Sequence, residues 1–353
     1  MGKGVPSQST QCPASAIGNC KVQGACYNFI GMISNVKAHV IYNPTAGPWD
    51  AQHAIKHVCA LLERHGWAVQ LQQTEKPNDA IVMAREAAHA GCDVVVAAGG
   101  DGTVNETVNG LVGTQAALGV LPMGTGNRWA RQLGISPYLL SNPLRIHEAA
   151  DGLACGTIHH IDVGKVNDHY FLCWAGIGLD AQVATEVRQR PRHVKHWGVL
   201  PYIIAAFLIA RDFQGVRTRI QLDGRLVRGR TLLIVVSNIQ QYAGQLHLIP
   251  QARLDDGLLD VSVFKGLGFP YALHHLISML SRRCLQDPQI VYRQARYVEI
   301  RTDPPVPVHV DGDTIDITPV KLQAVSHALQ VIVPPTTPPK LFAHSCQQTL
   351  SML

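Results

Sequence analysis

The 353 residues include 46% hydrophobic and 16% charged side chains and carry a net charge of +5. That balance excludes a disordered chain, and the length exceeds one ordinary core and suits two domains. The modest positive charge does not require nucleic acid as a partner and is compatible with phosphate-rich ligands or an anionic membrane surface.

Residues 1–35 are polar and rich in small side chains, with no apolar run of the signal-peptide kind. Pro6 breaks the myristoylation pattern, so the segment reads as a flexible extension. Nine cysteines are scattered from Cys12 to Cys346 with no CxxC pair, as expected of free thiols in a reducing cytoplasm.

From Lys37 to Gly134 strand and helix patterns alternate. AHVIY is a short apolar run ended by the turn cluster NPTAGP. A helix from about Asp50 carries Ile55, Val58, Leu61 and Leu62 on one face and stops at Gly66. WAVQLQQT is the second strand, and a helix from Pro77 to Ala90 follows. DVVVAA is a fully apolar third strand before GGDG and a helix with Val104, Val108 and Leu111 in register. AALGVLP is the fourth strand, before MGTGN and a helix through Leu133. Four strand–helix units in series predict a doubly wound parallel sheet.

Beyond Ile158 the texture changes to strand runs with hairpin signals, among them Asp223-Gly224 between alternating strands. This half predicts an antiparallel β domain, with helices near 194–212 and 269–285. The longest apolar stretch, Trp197–Ala210, is too short to span a bilayer and contains Pro201. Any membrane contact is therefore expected at the surface. Arg188, Arg190, Arg192 and Lys195, just before that stretch, read either as an interfacial anchor or as a solvated loop. The proline-rich VPPTTPPKLF reads as a mobile end.

The sharpest chemical signal is GGDGTVNE. It lies where an apolar strand gives way to a helix, so unpaired N–H groups and the positive helix end face an anion. Gly99, Gly100 and Gly102 let the backbone approach phosphate oxygens. Asp101 beside such a cradle would repel phosphate, which implies an intervening Mg²⁺. Gly124-Thr125-Gly126-Asn127 and Asn43-Pro44-Thr45-Ala46-Gly47 occupy equivalent positions after other strands. All three loops belong at the carboxyl edge of the sheet, where ligands bind. No Walker A loop and no GxGxxG occurs.

With NPTAG, GGDGTVNE, PMGTGN, IDVGKVN, AGIGLDA, PQARLDDGLLDV and VDGD in that order, residues 36 to 330 resemble the bacterial soluble diacylglycerol kinases, relatives of the sphingosine and ceramide kinases. The resemblance implies an α/β nucleotide-binding domain at 36–158, a β-sandwich lipid-substrate domain at 159–325, and a return segment with a flexible tail at 326–353. It implies ATP and Mg²⁺ as cofactors, a lipid substrate at the membrane surface, and a cytoplasmic enzyme.

Carried over by position, Asn43, Pro44, Thr45, Ala46 and Gly47 resemble the first nucleotide loop, and Thr74 a nucleotide-contacting threonine. Gly99, Gly100, Asp101, Gly102, Thr103, Val104 and Asn105 resemble the central phosphate loop. Gly124, Thr125 and Asn127 resemble the third loop. Asp162 matches an acidic member of the magnesium–water network. Asp256, with the carbonyls of Arg253 and Leu258, matches a second, structural magnesium site. Asp313 stands where the bacterial enzymes carry a glutamate base. In sphingosine kinases the aspartate matching Asp101 has that role, so both are candidates. Asp180 matches a lipid head-group ligand and also reads as a helix N-cap. Arg128 stands where bacterial relatives often have aspartate. A kinase of a soluble acceptor such as NAD, and a nucleotide-binding regulator without turnover, are the alternatives.

Overall fold

β1 (Lys37–Tyr42), β3 (Val94–Gly99) and β4 (Ala117–Pro122) are apolar on both faces and buried almost throughout, as central parallel strands require. β2 (Ala68–Gln73), which alternates with glutamine, is largely exposed and forms the edge. The computed structural model describes residues 35–46, 51–136, 144–183, 209, 213, 215–242 and 246–343. β2, β1, β3 and β4 pair in that order, all parallel. α1 (Ala51–Arg64) buries Ile55, Val58 and Leu62 completely, while Leu61 is half-buried. α2 (Asp79–His89) crosses α3 (Asp101–Leu111) closely, because a Cβ on Gly110 would stand 2.4 Å from the Ile81 carbonyl oxygen. Short α4 (Arg128–Gln132) follows β4, and α5 (Leu144–Ala154) leads into the second half.

That half is antiparallel. β5 (Thr157–Val166), β6 (His169–Phe171), β7 (Trp174–Gly178), β8 (Val216–Leu222) and β9 (Arg225–Ser237) come first. The Asp223-Gly224 turn has positive φ at both positions and joins Leu222 to Arg225, the two-residue hairpin its sequence predicts. β10 (Gln241–Tyr242) and β11 (Leu246–His247) form a small ribbon, and β12 (Leu259–Lys265) pairs with β9. α6 (Gly268–Leu280) follows, then β13 (Ile290–Ala295), β14 (Tyr297–Asp303), β15 (Pro307–Val310) and β16 (Asp313–Ile317). α6 covers the second predicted helix. The first, near 194–212, falls almost wholly outside the described residues, as do the basic run at 188–195 and the apolar stretch after it.

β8 shows how the sandwich closes: Val216, Thr218, Ile220 and Leu222 point inward while the residues between them stay exposed. Val216, Ile220 and Leu222 join a core with Phe171, Ile234, Val263 and Val308, each such apolar side chain contributing about 1.5–3 kcal/mol. β17 (Val320–Val333) binds the two halves together. Its first part pairs with β14 and β5, its register shifts between Val325 and Leu329, and Val331 pairs in parallel with Leu118 of β4. Fifteen described strands thus form one mixed sheet.

The proline-rich segment is docked where its sequence predicts a mobile end. Thr337 Oγ1 donates to the Leu133 carbonyl at 2.7 Å, and Leu341 and Phe342 are buried. The Leu341 carbonyl accepts the Leu254 N–H. Two apolar side chains and a stiff prolyl backbone make this ordering cheap in entropy. No helix of the described residues is long and apolar enough to cross a membrane.

Candidate active site

Three loops converge at the carboxyl end of the parallel strands. Asn43, just past β1, accepts from Thr45 N–H and Oγ1 at 2.9 Å, and its Nδ2 donates to Thr103 Oγ1 at 3.1 Å. The first loop is thereby pinned to α3, Pro44 and Thr45 are exposed, and Gly47 lies outside the described residues. Thr74 is buried, with its N–H and hydroxyl both on the Tyr42 carbonyl. Gly100 and Gly124 touch backbone to backbone, since a Cβ on Gly124 would lie 2.6 Å from the Gly100 Cα. Gly102, on the first turn of α3, faces open space.

Asp101 ties the second loop to the third. Its Oδ1 accepts the Arg128 N–H at 2.6 Å, and its Oδ2 lies 3.6 Å from Arg128 Nε. A Cβ on Gly126 would collide with the same carboxylate. Asn127, in left-handed conformation, braces its own loop through two bonds to the Gly124 backbone, while Thr125 is exposed. Val104 is buried, and Asn105 Nδ2 turns away from the loop to donate to Asp311 Oδ2 at 3.0 Å.

Asp311 is the residue sequence reasoning missed. Its buried carboxylate accepts the N–H groups of Leu172, Cys173 and Trp174 as well as Asn105 Nδ2. Asp311 and Gly312 both have positive φ and form the two-residue turn between β15 and β16. A Cβ on Gly312 would stand 2.8 Å from an Arg128 guanidinium nitrogen, so the turn rests on that side chain. Asp313, which opens β16, acts as a like charge on half-buried Glu106 of α3, whose carboxyl is raised first by burial and also by Asp313. Asp101, Asn105, Arg128 and Asp311 line one small cavity of about 10 Å³, room for a single water and not for a nucleotide.

The Arg128 guanidinium lies 5.0 Å from the Trp174 ring centroid, and Trp174 packs on Tyr242. Tyr242 Oη donates to Asp180 Oδ1 at 2.6 Å, and His309 Nε2 meets Asp180 Oδ2 at 2.8 Å. Among the described residues, Asp180 spends its carboxylate on the Tyr242 and His309 side chains of the β domain. Only glycine fits at 176, where a Cβ would fall 2.0 Å from Asp180 Oδ2. Tyr242 and His309 carried no motif signal: His309 lies on the strand face opposite Val308 and Val310, and only the fold buries both faces.

Asp162 and Asp256 form a separate group. Asp162 is fully buried and accepts the N–H of Gly257 at 2.5 Å and of His327 at 2.8 Å. Its side-chain partners among the described residues thus lie at the Arg253–Leu258 turn and β17, and none is a glycine loop. Asp256 accepts the Leu258 N–H at 3.0 Å. Burial raises both carboxyls, and each also feels neighbouring Asp255 as a like charge.

Residues 37–166 match the family model described as the diacylglycerol kinase catalytic domain. Residues 174–333 match the one described as the YegS C-terminal NAD kinase beta sandwich-like domain. Over 301 residues the chain is 31% identical to the diacylglycerol kinase of Staphylococcus aureus strain MRSA252, spanning 84% of this chain and 92% of that one. The chain belongs to the diacylglycerol kinase family. The same identity and coverage hold for the Staphylococcus aureus RF122 diacylglycerol kinase. A solved Bacillus anthracis Sterne chain, proposed to be a diacylglycerol kinase, superposes with a TM-score of 0.72 at 25% identity, over 86% of this chain and 99% of that one. A second Bacillus anthracis diacylglycerol kinase structure, at 22% identity and TM-score 0.65, shares the fold over 86% of this chain and 98% of that one.

The residues of this diacylglycerol kinase family member fit the groups a kinase uses. Gly100 and Gly124 meet where any Cβ would collide, and the first turn of α3 is open at Gly102. Asp162 and Asp256 each feel Asp255 as a like charge, which a divalent cation at the Arg253–Leu258 turn would offset.

Proposed function

We propose that this protein transfers the γ-phosphoryl group of ATP to a hydroxyl of a diacylglycerol-like or sphingoid lipid, with Mg²⁺. The observation that carries the reading is Asp101. Its carboxylate stands on the first turn of α3 beside the open face of Gly102, and through Arg128 it reaches the Asp311–Asp313 hairpin of the other half. Nucleotide loops and a candidate proton acceptor thus come from two halves joined at one place.

In this reading residues 36–158 hold the nucleotide. Pro44, Thr45, Gly102 and Thr125 offer exposed contacts, while Asn43, Thr103 and Asn127 hold the loops in shape. Bound Mg²⁺ would neutralise phosphate charge, and Asp101 would be an acidic ligand to hold it. Asp162 keeps the Arg253–Leu258 turn in position through Gly257, so that Asp256 and the carbonyls of Arg253 and Leu258 can take a second Mg²⁺. Asp313 accepts the proton of the lipid hydroxyl; Asp101 is the rival for that step. Asp180, held by His309 and Tyr242, receives the polar head group.

The test is labelled ATP and Mg²⁺ offered with diacylglycerol, sphingosine, ceramide or phosphatidylglycerol, and separately with NAD. Label should enter one of the lipids and be lost in Asp101→Ala, which should unfold at lower urea than wild type because the Arg128 bonds are gone but should still be folded without denaturant. Transfer to NAD alone, or equal transfer by wild type and Asp101→Ala, rejects the reading.

A further inference from the structure

α6 turns apolar side chains outward. Leu273, Ile277 and Leu280, spaced i, i+4, i+7, are 40%, 57% and 57% exposed. Leu267 before the helix and Leu285 after it are also exposed, whereas Tyr271 lies on the other side of the helix beside His275. A surface helix ordinarily shows charged residues on that side. Six of the eleven exposed large hydrophobics among the described residues lie in this one stretch, so random scatter does not account for them.

The helix is nevertheless firmly held from beneath. His275, Ser278 and Met279 are buried, His275 Nε2 lies 2.7 Å from the Lys265 carbonyl, and Ser278 Oγ donates to Asp287 at 2.7 Å. The outer face is therefore a fixed surface. From Gly266 to Gln286 there is no Asp or Glu, and the only charged side chains are Arg282 and Arg283, both exposed at the end of the helix.

We propose that this face docks the protein on an anionic lipid bilayer. Leu273, Ile277 and Leu280 enter the boundary between head groups and acyl chains, and Arg282 and Arg283 meet lipid phosphates. The choice of a bilayer rests on the lipid-kinase reading and on charge. A second copy of this face brings no carboxylate to the two arginines, whereas anionic head groups do.

Flotation with phosphatidylcholine vesicles, with and without phosphatidylglycerol, tests this on the full chain. Wild type should float with the phosphatidylglycerol vesicles. Leu273→Ser/Ile277→Ser/Leu280→Ser should bind them at least tenfold more weakly. Arg282→Ser/Arg283→Ser should lose roughly fivefold per arginine at low salt, together with the preference for anionic vesicles. Thermal unfolding checks that each variant is folded, and Ile277→Ser alone replaces the triple variant if that one is not. Unchanged flotation of the folded serine variant overturns the proposal. So does a wild-type dimer that the serine substitutions split into monomers without altering vesicle binding. Turnover of diacylglycerol in detergent micelles should be the same in all variants. Absence of transfer from wild type to every lipid of the panel would reject the kinase reading alone, because vesicle binding is scored without it.

Discussion

His309 Nε2 lies 2.8 Å from Asp180 Oδ2, and the other face of the same imidazole, through Nδ1, accepts the Gly312 N–H at 3.2 Å. One ring therefore connects the candidate head-group carboxylate with the hairpin that carries Asp313. Burial pushes the Asp180 carboxyl up, but His309, Tyr242 and Trp174 more than reverse this, and it lies below the usual aspartate range. An acid depressed in the folded state adds stability above its unfolded pKa, and that stability is lost as pH falls through the folded value. Asp180→Asn should be less stable than wild type by about 2–4 kcal/mol at pH 7. The gap should narrow as pH falls below about 4. Urea unfolding between pH 7 and pH 3 measures it, and a gap independent of pH argues against the pairing.

Asp311 accepts four N–H donors in a buried position. An asparagine there would point its own NH₂ at backbone N–H groups or leave them unsatisfied. Asp311→Asn should cost about 3–5 kcal/mol in urea unfolding. A loss below about 1 kcal/mol, the scale of an exposed pair, would mean that these bonds do not hold the two halves together.

Arg128 competes for Asp101. Its N–H and guanidinium both engage the carboxylate that the proposed reaction needs for Mg²⁺. Arg128→Gln should lower the Mg²⁺ concentration for half-maximal turnover several-fold, while lost packing on Trp174 costs about 1–2 kcal/mol of stability. A higher Mg²⁺ requirement would instead make Arg128 a ligand of the nucleotide.

Asp313→Asn separates the two candidate bases. If Asp313 takes the hydroxyl proton, kcat should fall at least a hundredfold, about 2.7 kcal/mol or more of transition-state stabilisation, with KM for ATP within about twofold. Parallel loss of kcat and ATP affinity would transfer the role to Asp101.

Buried thiols should be inert. Burial first, then Glu63 for Cys59 and Asp287 for Cys284, push both up to about 11. Iodoacetamide at pH 8 should leave these two unmodified in the native protein and label them in urea, as peptide mass mapping would reveal.

The parallel half was legible because its signals are local. Fully apolar runs such as VVVAAG, glycine-rich turns and helix-period residues each act within a few positions, and β1 to β4 appear where they were expected. The Asp223-Gly224 hairpin was legible for the same reason, since positive φ at two adjacent residues is a local demand. The glycine loops and Asp101 were found because strand ends in such a sheet share one edge.

Other features depend on residues far apart in the chain. Asp311 meets Leu172–Trp174 across about 140 positions and Asn105 across 206, and nothing in a two-residue turn announces those partners. Asp180, His309 and Tyr242 come from three separate elements, and the docked Leu341 and Phe342 depend on a surface that only the folded chain provides. Sequence alone determined the layered α/β core and the glycine-rich loops at its edge, because backbone geometry and apolar period are short-range properties. Tertiary structure alone decided which carboxylate is paired and which is buried, because those depend on desolvation and on donors supplied by distant strands.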